Sequence, residues 1–143
     1  MDPNNPVVKL CAAGMQAEAE GRPNDALLLF LQAWQQSTDD YEACVAAHYV
    51  ARHQKTPQES LRWNQESLDR ADAVNEERVR DFYPSLYLNM GKSYEDIGDR
   101  REACRNYQLA AARLSGLSEG RYRDVVRDGI ARGLERVCKA ANT

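Results

Sequence analysis

One register of small and aromatic residues returns along this chain, and it constrains the fold more than any other feature. With Gly14, His48 and Gly91 aligned, a first unit carries Leu10, Gly14, Ala17, Gly21, Ala26, Phe30 and Ala33 at its marked positions. A third carries Tyr87, Gly91, Tyr94, Gly98, Ala103, Tyr107 and Ala110 at the same places. The second is degenerate: Cys44, His48, Ala51, Lys55, Ser60, Asn64 and Ser67. The first two registers lie 34 residues apart and the next two 43, so nine residues precede the third unit's first helix. Self-similarity at such a period means supersecondary units that must stack, because one alone cannot cover its apolar face.

Within each unit the apolar spacing is helical, and no segment alternates strictly enough for a strand. The composition agrees: Ala, Leu, Glu, Gln and Arg are plentiful, while 8 Gly and 5 Pro in 143 residues serve as punctuation. Pro6 opens a first helix and the run from Gly21 to Asp25 breaks it. Ser37 to Asp40 offers N-caps, and Thr56-Pro57 with Glu59 reads as a capping box. Asn75-Glu76-Glu77 is a further start, Gly98-Asp99 a stop and restart, and Ser115 to Gly120 the last loop. This gives seven helices. Val79, Tyr83, Leu86, Tyr87, Met90, Tyr94 and Ile97 continue the helical spacing back into the nine added residues. They predict a long helix beginning near Glu76 and bent at Pro84; the competing reading is a second start after a short turn. A last helix joins Tyr122, Val125, Val126, Gly129, Ile130, Gly133, Leu134 and Val137 in one apolar stripe that caps the stack.

The chemistry of the register is specific. Two closely packed helices need small residues where they cross, which Gly14, Ala26, Gly91 and Ala103 supply. Phe30 and Tyr107, four positions on, fill the space that remains. Gly21 and Gly98 stand where the chain leaves a helix through a left-handed conformation. This pattern resembles the tetratricopeptide repeat family, most closely in SLYLNMGKSYEDIGDRREACRNYQLA, residues 85–110. The resemblance implies an all-α solenoid of three helix-turn-helix pairs in a single domain, with units at about residues 7–38, 41–74 and 76–114 and the capping helix at about 119–139. The second unit departs from the family, since His48, Ser60 and Asn64 are bulky or polar; there the pair must splay or hydrogen-bond internally.

In that family the first helix of each pair lines a concave groove. Carried over by position, the groove residues are Cys11, Ala12, Met15, Glu18 and Ala19, then Val45, Ala46, Tyr49, Arg52 and His53, then Ser85, Leu88, Asn89, Lys92 and Asp96. Arg123 and Arg127 join them from the last helix. The resemblance thus implies a protein or peptide partner, held by Met15, Tyr49 and Leu88 as apolar anchors and oriented by Arg52, Asn89 and Lys92. Cys11, Met15 and Ala46 replace three members of the clamp with which some relatives hold a C-terminal carboxylate, so that mode is not expected. Self-association as a homodimer, and service as a regulatory component of an enzyme complex, are the competing readings.

Other functions find little support. The net charge of −3 joins a first half (residues 1–75) with 6 basic against 11 acidic side chains to a second half with 13 against 11. Neither half concentrates a basic stripe, so nucleic acid is not an expected partner. No apolar run approaches the roughly 18 residues of a membrane span, and the N-terminal ten residues have no signal-peptide pattern. A cytoplasmic protein is expected. The 4 cysteines lack paired spacings, which predicts reduced, mostly buried thiols and no metal or other cofactor. Cys11, placed on the groove, is the candidate reactive thiol. No catalytic motif is present, so no enzyme is expected; His48 and His53 stand on different helix faces, the first packed between helices and the second exposed on the groove. Carboxylate pairs such as Glu95/Asp96 and Glu76/Glu77 read as solvated helix charges.

Overall fold

The computed structural model describes residues 2–74 and 77–141, with side chains through residue 138. The described residues are helical with no strand, and they form eight α-helices rather than seven: α1 (Pro6–Ala19), α2 (Pro23–Gln36), α3 (Asp40–Val50), α4 (Pro57–Val74), α5 (Glu77–Arg80), α6 (Tyr83–Asp96), α7 (Arg100–Arg113) and α8 (Arg121–Ala141). Short 3-10 turns extend α3 through Ala51–His53 and α7 through Leu114–Gly116. The chain divides into two compact units, Met1–Val74 and Asn75–Thr143.

The additional helix corrects the expectation of one long bent helix. Instead α5 closes after one turn, Phe82 N–H donates to Val79 O at 3.0 Å, and α6 starts afresh with Pro84 in its first turn. Proline has no N–H to give, and the first turn of a helix is where none is needed. Asn75 and Glu76 of the expected start signal lie outside the described residues.

In the first unit α1 packs on α2, α2 on α3 and α3 on α4. The helix starts follow the caps: Asn5 Oδ1 accepts from Val7 N–H at 2.8 Å, Asp39 Oδ1 from Glu42 N–H at 2.8 Å and Thr56 Oγ1 from Glu59 N–H at 3.1 Å. Phe30 is fully buried among Ala17, Ala26 and Val50, and its ring lies where a side chain on Gly14 would stand. Gly21 leaves α1 at φ +76°, as the sequence requires. The degenerate third and fourth helices hydrogen-bond internally. Ser60 Oγ donates to Ala51 O at 2.5 Å, and buried Ser67 donates to Cys44 O at 2.8 Å. Glu42, only 8% exposed, accepts from Asn5 Nδ2 at 2.6 Å and from Thr38 N–H at 2.9 Å, tying the cap of α1 to the start of α3.

In the second unit α6, α7 and α8 pack on one another around Tyr107. A Cβ on Gly91 would stand 2.7 Å from that ring on the α6 side, and one on Gly133 would stand 2.5 Å from it on the α8 side. The ring is therefore clasped between two helix backbones. Val126 and Ile130 of α8 pack with Ala110 of α7, and Val137 with Ala103 and Tyr107. The apolar stripe of α8 is only partly used: Tyr122 and Val125, expected within it, are 47% and 61% exposed. Tyr122 still reaches α6 through its hydroxyl, which hydrogen-bonds Ser85.

Tight packing gives a signed prediction. Gly91→Ala and Gly133→Ala should each destabilise the second unit by about 1–3 kcal/mol, because overpacking outweighs the roughly 1 kcal/mol of helix propensity gained. Gly116→Ala, with nothing within 4 Å of the new methyl, should change stability by less than about 0.5 kcal/mol. Urea unfolding of the three variants checks both halves of the expectation.

Candidate functional site

The residues expected on the groove are divided between the two units, and only those of the first unit form a cluster. Glu18 projects from α1 and meets the end of α3 and its 3-10 extension. One carboxylate oxygen bonds His53 Nε2 at 2.5 Å and the other accepts from Arg52 Nη2 at 3.1 Å. Tyr49 lies one turn back. Its ring stacks on Phe30 with centroids 5.0 Å apart, and the Arg52 guanidinium sits 5.3 Å above it. His53 also stacks on Phe30, at 5.9 Å, and is half-buried rather than exposed. Four of the positions expected on a groove, Glu18, Tyr49, Arg52 and His53, are thus joined by direct contacts. Met15, one turn before Glu18 on α1, is 41% exposed with Ala12 and Ala19 also at the surface.

Three neighbouring positions behave otherwise. Cys11 does not face a groove. It is 4% exposed in a cluster with Val7, Ala33 and Ala46, and burial pushes its thiol up to about 11, so it is not a reactive thiolate. Ala46 is buried in the same cluster, and Val45 packs half-buried against it. The spacing of Val7, Cys11, Gly14 and Ala17 along α1 is the inward stripe, which the positional transfer from the family overrode.

In the second unit the expected positions are spread out. Leu88 packs half-buried between Tyr107 and the Val126–Ile130 stretch, next to Gly129. Lys92 and Asp96 pair with each other along α6 at 3.0 Å. Asn89 is half-buried, and Ser85 hydrogen-bonds Tyr122 of α8. Arg127 is 53% exposed and pairs with Asp124 at 3.3 Å and Asp128 at 3.5 Å on its own helix, while Arg123 is half-buried nearby.

Three features escaped the sequence reading. Glu95 is not a solvated charge: Arg136 of α8 holds both its oxygens, at 2.7 and 3.0 Å, and Tyr107 OH donates to it at 2.8 Å. Those bonds, the Arg136 ones foremost, hold the Glu95 carboxyl below the usual range, while burial first and the carboxylate second push the Tyr107 phenol well upward. Glu77, by contrast, is 85% exposed as expected. Cys104 and Cys138 are joined in a disulfide between α7 and α8, which corrects the expectation of reduced thiols. Finally, a cavity of about 430 Å³ opens beside Trp34, Ser37, Asp40 and Arg70. Arg70 there lies over the Trp34 ring at 5.2 Å and pairs with Asp40 and Glu66, each at 3.0 Å. Trp63 meets Trp34 edge-on from α4.

Among the described residues no group of His, Cys, Asp and Glu is arranged to hold a metal ion, and no helix is long and apolar enough to cross a membrane. No protein-family model, curated protein or solved structure matches the chain.

His48 occupies the crossing position that glycine fills in the other units, and its ring meets Tyr49 edge-on at 5.4 Å. Burial, reinforced by the Arg52 charge, pushes its pKa down to about 4. The unfolded chain therefore takes up a proton near pH 6.5 that the folded chain refuses. Stability from this group is complete above about pH 6.5 and falls as pH drops towards 4, by on the order of 3 kcal/mol in total. The urea midpoint should decline across that window, and His48→Gln should remove most of the decline. An identical pH profile in the variant would refute the assignment.

Proposed function

We propose that this chain is a non-catalytic peptide-binding module of tetratricopeptide-like helix pairs, working in the cytoplasm as a small solenoid with a capping helix. The observation that carries the reading is the cluster of Glu18, Tyr49, Arg52 and His53 on α1 and α3. A rigid aromatic and a charged fork stand beside an exposed methionine, a combination typical of binding hot spots. The paired helices α1–α2, α3–α4 and α6–α7, with small residues against Phe30 and Tyr107, support the repeat reading.

In this mechanism an apolar side chain of the peptide rests on Met15. The guanidinium of Arg52, 45% exposed and committed to Glu18 through one nitrogen, offers its remaining N–H groups to a peptide carbonyl or carboxylate. Glu18 holds Arg52 and His53 in place before the partner arrives, which lowers the ordering cost of binding.

The test is selection of peptides from a random display library, followed by fluorescence anisotropy with an enriched sequence. Arg52→Ala and Met15→Ala should each weaken binding about tenfold, near 1.4 kcal/mol, with far-ultraviolet circular dichroism unchanged. Failure to enrich any sequence, or variants that bind as tightly as the unsubstituted chain, overturns the proposal.

A further inference from the structure

The two cysteines that are joined are also the two nearest solvent. Cys104 on α7 and Cys138 on α8 are both half-buried, with Cα atoms 5.1 Å apart. Cys11 and Cys44, by contrast, are 4% and 1% exposed, and burial raises both of their thiols. A dissolved thiolate can reach the first pair and not the second.

The position of the bond matters as much as its access. It lies towards the C-terminal end of α8, past the contacts that hold the middle of that helix. Val126 and Ile130 pack with Ala110, Gly133 rests on Tyr107, and Arg136 is held by Glu95. These contacts do not depend on the disulfide, so α8 keeps its seat when the bond opens. Around the bond itself Val137 is buried against Ala103 and Tyr107, while Leu134 is half-buried. Opening the bond therefore acts on the final turns of α8 without unfolding the unit.

We propose that Cys104–Cys138 is a reversible thiol–disulfide site. Oxidised, it clamps the last turns of α8 over Ala103 and Tyr107; reduced, it lets them loosen and uncovers that apolar surface. The reductant is a dithiol. One of its thiolates attacks either Sγ, the sulfur–sulfur bond breaks, and the departing cysteine sulfur keeps the electron pair and takes a proton. The second thiolate then displaces the other cysteine from the mixed disulfide. Two electrons and two protons pass to the protein, and the dithiol leaves as a disulfide. Oxidised glutathione, by the reverse exchange, restores the bond. This proposal does not rest on peptide binding.

The experiment uses the full chain equilibrated either with oxidised glutathione or with dithiothreitol. Thiol titration in denaturant, after removal of the small thiols, should find two free thiols in the first sample and four in the second. Hydrogen exchange of the native protein should then be at least tenfold faster within residues 137–141 in the reduced form, with α1 to α4 unchanged. The Cys104→Ser/Cys138→Ser double variant should match the reduced pattern in both buffers. Four thiols after glutathione treatment, resistance to dithiothreitol without denaturant, or equal exchange in the two redox forms would each overturn the proposal. Because wild-type protein supplies both redox forms, the outcome does not depend on the variant folding.

Discussion

Both units are organised by an aromatic ring pressed against glycine. Phe30 occupies the space that a side chain on Gly14 would need, and Tyr107 is clasped between Gly91 and Gly133. An aromatic side chain removes 150–250 Å² from water, but only where neighbouring backbones come close enough to touch both of its faces. The glycines accept a loss of helix propensity to permit that approach. The other interactions of the second unit follow from the clasp. With the ring fixed, its hydroxyl reaches Glu95; Glu95 in turn receives Arg136, and α8 is oriented on α6 and α7.

The same constraint shapes the candidate site of the first unit. Phe30 is the platform on which Tyr49 and His53 both stack, so burial of one core ring fixes two surface rings. Glu18 then links α1 to the 3-10 turn after α3, where Arg52 and His53 stand side by side. Core packing and surface chemistry are continuous here, because the functional candidates are the outer layer of the same aromatic stack. His48 belongs to that layer too. Substituting an imidazole for the glycine of the other units leaves a titratable group where desolvation keeps it neutral.

How much could be read beforehand depended on the range of the interaction. The helices, their caps and the tight crossings were legible because each follows from residues within one or two turns: Asn5, Asp39, Thr56 and Asp99 cap as their types suggest. The break before α6 was legible only as one of two readings, since proline suits either a kink or a first turn. Cys11 was misplaced because family position was preferred to its own spacing with Val7 and Gly14. Glu95 was misjudged because its partner, Arg136, lies 41 residues away, and nothing local distinguishes a solvated carboxylate from a bridging one.

The sequence by itself determined an all-helical chain with paired segments, glycines at the exits of α1 and α6, and aromatic residues opposite small ones. Periodicity, capping and propensity act within a few residues, so their consequences are written locally. Tertiary structure decided which distant groups meet: Cys104 with Cys138, Tyr107 with Gly133, Glu18 with His53, and Glu42 with Asn5. Those encounters depend on how each helix is rotated and how closely two backbones approach. That geometry is settled by packing the whole side-chain set at once, and no single segment contains it.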